Sequence, residues 1–137
     1  MNLTTTQAQG RVPVTVVGIE GELDGSNFQQ LINTARDMYK AGARHLLLDM
    51  SKMTYMSSAG LVALHSTALL MRGEEPPSPE HGWGAFHAIT RDQATGRVHQ
   101  AVKLLSPQPR VEKTLTMTGL KEFFEVHTDL SAAVASF

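Results

Sequence analysis

The chain has 137 residues, 42% hydrophobic and 18% charged, with twelve Lys and Arg against thirteen Asp and Glu and no cysteine. That length suits one domain burying about 70% of its unfolded surface and is short for two. Balanced charge leaves no basic footprint for nucleic acid or an anionic membrane, and the missing thiols exclude disulfides, thiolate metal sites and cysteine nucleophiles. No apolar run reaches the ~20 residues that span a bilayer, and the start MNLTTTQAQGRV lacks the basic and apolar parts of a secretory signal, so the expected address is the cytoplasm.

Leu3 to Gln7 alternates weakly, and after a turn near Gly10 the run VPVTVVGIEGEL, rich in β-branched side chains, predicts a strand ending at Leu23. Asp24-Gly25-Ser26 interrupts it. Ser26 and Gln29 have capping-box spacing, and Phe28, Leu31, Ile32, Ala35, Met38 and Tyr39 then recur at helical steps until Gly42. In HLLLDM, Leu46, Leu47 and Leu48 stand in a row, as in a strand covered on both faces and parallel to the first. Ser51 to Met56 reads as a turn. From Ala59 a helix with two opposed apolar sides runs to Gly73, wedged deeply against the sheet.

GEEPPSPEHG, residues 73–82, is a proline-rich loop, and Trp83, Phe86 and Ile89 then suggest one short helix face, with a hairpin turning at Gly96 as the alternative. Ala101 to Leu105 predicts a strand. Pro109 to Thr118 predicts a helix closed by Gly119, Phe123 to His127 a last strand, and Asp129 to Ala135 a capped final helix. The expected fold is α/β. Partner or ligand surfaces in such sheets lie beyond carboxyl ends of strands, here Glu22-Leu23-Asp24 and Met56-Ser57-Ser58, which parallel pairing brings together.

Three readings exist for the paired hydroxyls in TYMSSAGL. Ser57 or Ser58 caps the following helix, its oxygen accepting from first-turn N–H groups. Alternatively Ser58-Ala59-Gly60 is half of a nucleophile elbow, although Met56 replaces its first glycine and no acid and histidine are spaced as partners. In the third reading a hydroxyl at the helix start accepts phosphate, which the positive helix end tolerates but a docked protein does not.

GELDGSN, LLLDMSKMTYMSSAGLVAL and MTGLKEFFEVHTDLSAAVASF resemble the segments of a STAS domain of the anti-sigma factor antagonist kind. The resemblance covers most of the chain outside Gly73 to Gln100. It implies a single STAS domain over 1–137, with a small mixed sheet, helices packed mainly on one face, an insertion at about 73–100, no catalytic activity and no cofactor. It further implies binding to an anti-sigma factor serine kinase, release on phosphorylation of a loop serine, and reversal by a metal-dependent serine phosphatase. Carried over by position, that serine is Ser58, with Ser57 as second choice. Ser57 stands where the family often has an acid.

The expected partner-binding set is Asp24, Ser51, Thr54, Met56, Ser57, Ser58, Ala59 and Gly60. Asp24 is also readable as a turn residue capping local N–H groups, and Ser51, Lys52 and Thr54 as a solvated loop. Neither nucleic acid nor membrane is expected as a partner, and the oligomeric state is expected to be a monomer or weak homodimer. The alternative is a stressosome-like scaffold or a ligand-sensing STAS module without a phosphoswitch. The six histidines lack HxH and HxxxH spacing, and His81 with His87 lacks a third ligand, so no metal is expected.

Overall fold

The computed structural model describes residues 1–76 and 98–137. A turn at Gly10 joins β1 (Asn2–Gln9) to β2 (Pro13–Leu23), which pair antiparallel from Asn2 opposite Glu20 to Gln9 opposite Pro13. β1 is longer than its weak alternation predicts, because its pairing with the β-branched β2 supplies what its own side chains do not. Side chains along β2 alternate as strand geometry demands. Val17, Ile19 and Leu23 enter the main core, and Val14 with Val16 meets a smaller one on the opposite face.

The first helix, α1 (Phe28–Lys40), buries Leu31, Ile32 and Ala35 and ends before Gly42, whose φ of +109° is the left-handed stop that sequence requires. The expected capping box is absent. The helix begins at Phe28 after Asn27, and neither Asn27 nor Ser26 caps it. Instead the Asn27 side chain accepts from the Asp24 N–H at 3.0 Å and donates to the Glu22 carbonyl at 2.8 Å, clamping the turn that leaves β2.

Beyond α1, β3 (Leu46–Asp49) lies parallel to β2, Thr15 opposite Leu46 and Gly18 opposite Asp49. Its three leucines divide between faces: Leu46 and Leu48 fill the main core and Leu47 the smaller one. Where sequence predicts a turn from Ser51 to Met56, only Met50 to Lys52 turns. The chain then rejoins β2 as β4 (Met53–Met56), with Gly21 opposite Met53 and Leu23 opposite Met56. Four residues are too few to display a period of two, and their burial does not alternate: Met53 and Met56 are buried while Thr54 and Tyr55 face solvent. A register shift at Gly21, whose φ is +96°, lets β2 serve β3 and β4 in succession.

The next helix, α2 (Ser58–Met71), is buried from Gly60 through Met71 and packs against α1. This matches the two apolar sides read from its sequence, since a helix apolar all round needs cover all round. Among the described residues the sheet is completed by β5 (His99–Leu105) and β6 (Phe124–His127), in the order β1-β2-β3-β5-β6 with β4 on β2. Every pairing except that of β1 with β2 is parallel. Because β5 begins at His99, the last residues expected in the insertion belong to the sheet. The helix or hairpin expected over 82–97, with Trp83, Phe86, His81 and His87, lies outside the described residues.

Between β5 and β6 stand α3 (Pro109–Met117), with proline at its first turn, and a 3-10 turn (Leu120–Phe123) opened by Gly119 at φ +76°. Val111 and Leu115 of α3 join α1 and α2 on the main core. The last helix, α4 (Leu130–Ala135), covers the other face with Ala133 and Val134, and Asp129 caps it by accepting from the Ala132 N–H at 2.8 Å. Helices therefore lie mainly on one face of the sheet.

Candidate functional site

Parallel pairing of β2 with β4 brings two strand ends to one rim. The backbone N–H of Ser57 donates to the Leu23 carbonyl at 3.0 Å, so the start of α2 is tied to the residue preceding Asp24. Tight packing at this join depends on Gly60, where a Cβ would stand 2.4 Å from Met56 Cγ and 3.2 Å from Leu23 Cγ. Met56 is 2% exposed and Gly60 is buried. Both shape the rim from beneath instead of offering it a surface.

The two serines have opposite environments. Ser57 occupies the N-cap position in extended backbone, but its hydroxyl makes no capping bond, and Oγ is sealed from solvent with no hydrogen-bond partner. Ser58 is the first residue of the helix and is exposed. The capping reading therefore fails for both hydroxyls. At the start of α2, the N–H groups of Ser58, Ala59 and Gly60 precede the intrahelical ladder, which begins with Leu61 N–H to Ser57 O, and the first turn carries no acidic residue.

Asp24 behaves as the turn residue its sequence context suggests. Its Oδ1 accepts from the Ser26 hydroxyl and from the Ser26 N–H at 2.9 Å, and these bonds, the hydroxyl's foremost, hold its carboxyl below the usual range. A carboxylate that stays ionised thus stands on the strand end to which Ser57 is joined.

Asp24, Met56, Ser57, Ser58, Ala59 and Gly60 are brought together at this rim; Ser51 is not. The four residues of β4, about 13 Å of strand at ~3.3 Å each, separate Ser51 from Ser57. Thr54 is exposed between them. The Ser51 N–H donates to Asp49 Oδ1 at 3.0 Å, and its carbonyl accepts from Gln108 Nε2 at 2.7 Å. Exposed Lys52 flanks a separate cleft of about 90 Å³ with Thr4, Gly18 and Asp49.

The arrangement adds residues that the sequence analysis missed. Arg110, in the first turn of α3, holds its guanidinium 5.2 Å above the Tyr55 ring, within cation–π range, and Gln108 precedes it. Pro109 marks a helix start in the sequence, but nothing there says which loop that start faces. Among the described residues, no cluster of three His, Cys, Asp or Glu side chains is placed to hold a metal, and no helix is long and apolar enough to cross a membrane.

Residues 5–72, from β1 to the end of α2, match the family model for the STAS domain. Over those residues the chain belongs to the STAS domain family. Its fold is similar to that of an anti-sigma factor antagonist from Mycobacterium paratuberculosis, at 18% identity and a TM-score of 0.65, covering 98% of this chain and 93% of that one. It is also similar to a Thermotoga maritima protein provisionally described as an anti-sigma factor antagonist, at 17% identity and a TM-score of 0.66, covering 96% and 90%. The phosphorylated form of the Bacillus cell fate determinant SpoIIAA matches at 14% identity and a TM-score of 0.53, covering 96% of each chain. At such identities the likeness is one of fold. No curated protein matches this STAS chain significantly in sequence.

Proposed function

We propose that this STAS domain is a non-enzymatic regulator of the anti-sigma factor antagonist kind, acting in the cytoplasm as a single domain. In this reading it docks through the rim at Asp24 and Ser58 onto an anti-sigma factor serine kinase. That kinase phosphorylates Ser58 and is thereby released, and a serine phosphatase resets the protein. The observation that carries the reading is the asymmetry of the serine pair: Ser58 is exposed at the first position of α2, whereas the Ser57 oxygen is sealed.

The physical chemistry of the rim supports both halves of the cycle. A phosphate on Ser58 adds a charge of about −1.5 to −2 at a helix N-terminus, where free N–H groups and the helix dipole favour an anion by ~0.3–1 kcal/mol. The modified protein therefore stays folded. Its docking face, already carrying the ionised Asp24, becomes strongly negative, and each ~1.4 kcal/mol of mismatch weakens a complex tenfold.

Incubation with ATP and an anti-sigma factor serine kinase encoded in the same genome tests this. Intact-mass measurement should show addition of one phosphoryl group to the native protein and to Ser57→Ala, and none to Ser58→Ala. Ser58→Asp should bind the kinase at least tenfold more weakly than Ser58→Ala. Phosphate on any other residue, or equal affinity of the two variants, removes the proposal.

A further inference from the structure

Among the described residues the run β1-β2-β3-β5-β6 ends in β1 and β6, and these two end strands are guarded differently. β6 is four residues long, carries Glu125 and His127, and pairs irregularly with β5. Such short, charged, irregular edges are how proteins discourage strand addition. β1 is eight residues long and its register with β2 is unbroken, so no bulge bends it away. Asn2–Gln9, NLTTTQAQ, contains no charge, proline or glycine, and all but Leu3 and Ala8 are exposed. Among the described residues no strand pairs with its outer side. Among those residues, the backbone groups on that side of β1 have no strand partner and can serve as a template for one.

We propose that β1 is a homodimerisation edge, in which β1 of a second copy adds antiparallel to this one and makes the sheet continuous across both. The strand's neutrality selects the occupant: it offers no charge to attract a charged partner strand and none to repel its own copy. Symmetry restricts the register. Residues directly opposite in an antiparallel pair share a face, and a two-fold axis normal to the sheet preserves faces, so a residue must oppose one of the same parity. Centring on Thr5 satisfies this. Thr5 then meets Thr5 of the second copy and Thr4 meets Thr6, pairs whose β-branched hydroxyls suit cross-strand contact.

This geometry leaves the serine rim open. β4 lies on the side of β2 away from β1, so strand addition does not cover Ser58, and the antiparallel copies present their rims at opposite ends. The dimer is a bivalent platform independent of the phosphorylation state.

Sedimentation velocity over a concentration series tests the edge. The native protein should show a monomer–dimer equilibrium, and the exposed substitutions Thr5→Lys and Thr5→Glu should each shift it at least tenfold toward monomer with unchanged circular dichroism. Mixing the two variants should restore dimers, because opposite charges then meet at the axis. Amide exchange in Asn2–Gln9 should slow as concentration rises. A protein monomeric throughout, a dimer indifferent to both substitutions, or β1 protection independent of concentration would overturn the proposal. None of these outcomes bears on phosphorylation of Ser58.

Discussion

Ser57 and Leu23 are joined backbone to backbone, N–H to carbonyl at 3.0 Å, although 34 positions separate them. This bond fixes the start of α2 to the end of β2. It also consumes the Ser57 N–H while the Ser57 hydroxyl is turned into a sealed space beside it. Adjacent serines are thereby sorted into one whose oxygen is sealed and one that is exposed, so that mutation can separate stability from the proposed recognition at the rim.

Ser57→Ala removes an oxygen that is sealed without a partner. An unsatisfied buried polar atom costs free energy, so the variant should be as stable as the native protein or up to ~1 kcal/mol more stable. A hydroxyl that capped the helix would instead give a loss of about 1 kcal/mol on removal. Urea denaturation decides between the signs.

Gly60→Ala places a methyl group against Met56 Cγ at 2.4 Å and against the Leu23 side chain and carbonyl at 3.2 Å. Met56 is flexible, but the Leu23 carbonyl belongs to the strand and is already held by Ser57. The helix must therefore shift. Overpacking of this kind should cost about 1–3 kcal/mol despite alanine's better helix propensity, read as a lower denaturation midpoint. In the proposed cycle, phosphorylation of Ser58 should slow as well, because the rim moves with the helix.

On the other face, Lys103 is 3% exposed and donates to Glu125 Oε2 at 2.8 Å and to the Ser136 carbonyl at 2.9 Å, tying β5, β6 and the end of α4 together. The Lys103 hydrogen bond foremost, and His127 after it, holds the Glu125 carboxyl below its ordinary value of 4.5. A depressed folded-state pKa gives stability that is present above 4.5 and lost as pH falls through the lower folded value. Glu125→Gln should therefore lose less stability than the native protein when pH is lowered from about 5 to about 3, measured by paired thermal melts. The Glu125 side chain is 41% exposed, so solvent screens the pair and the difference should be modest. Equal losses in both proteins would show that the pair contributes nothing.

Most elements were legible because their signals are local. Gly42, Gly73 and Gly119 all stop helices or turns at positive φ, and the unbroken leucines of β3 report cover on both faces. β4 was illegible: four residues with Met53 and Met56 buried around an exposed pair show no period, and only the open side of β2 makes them a strand. The Ser26 box failed for a related reason. Asp24 and Asn27 compete for the same turn, and the bonds to Glu22 and Ser26 that win depend on where β2 ends. At the rim, Ser58, Ser57 and Asp24 were expected from motif and strand ends, whereas the approach of Gln108 to Ser51 and of Arg110 to Tyr55 is one that no spacing encodes.

By itself the order of side chains determined the α/β class, the helical and extended stretches with strong periodicity, and the pair of hydroxyls at a helix start, because these depend on steric and hydrophobic preferences a few residues long. Which hydroxyl reaches solvent, which strands end the run of pairings among the described residues, and where the buried Lys103 finds its counter-charge were decided only in three dimensions. Burial and pairing are properties of what packs alongside a residue, and its neighbours in sequence do not specify them.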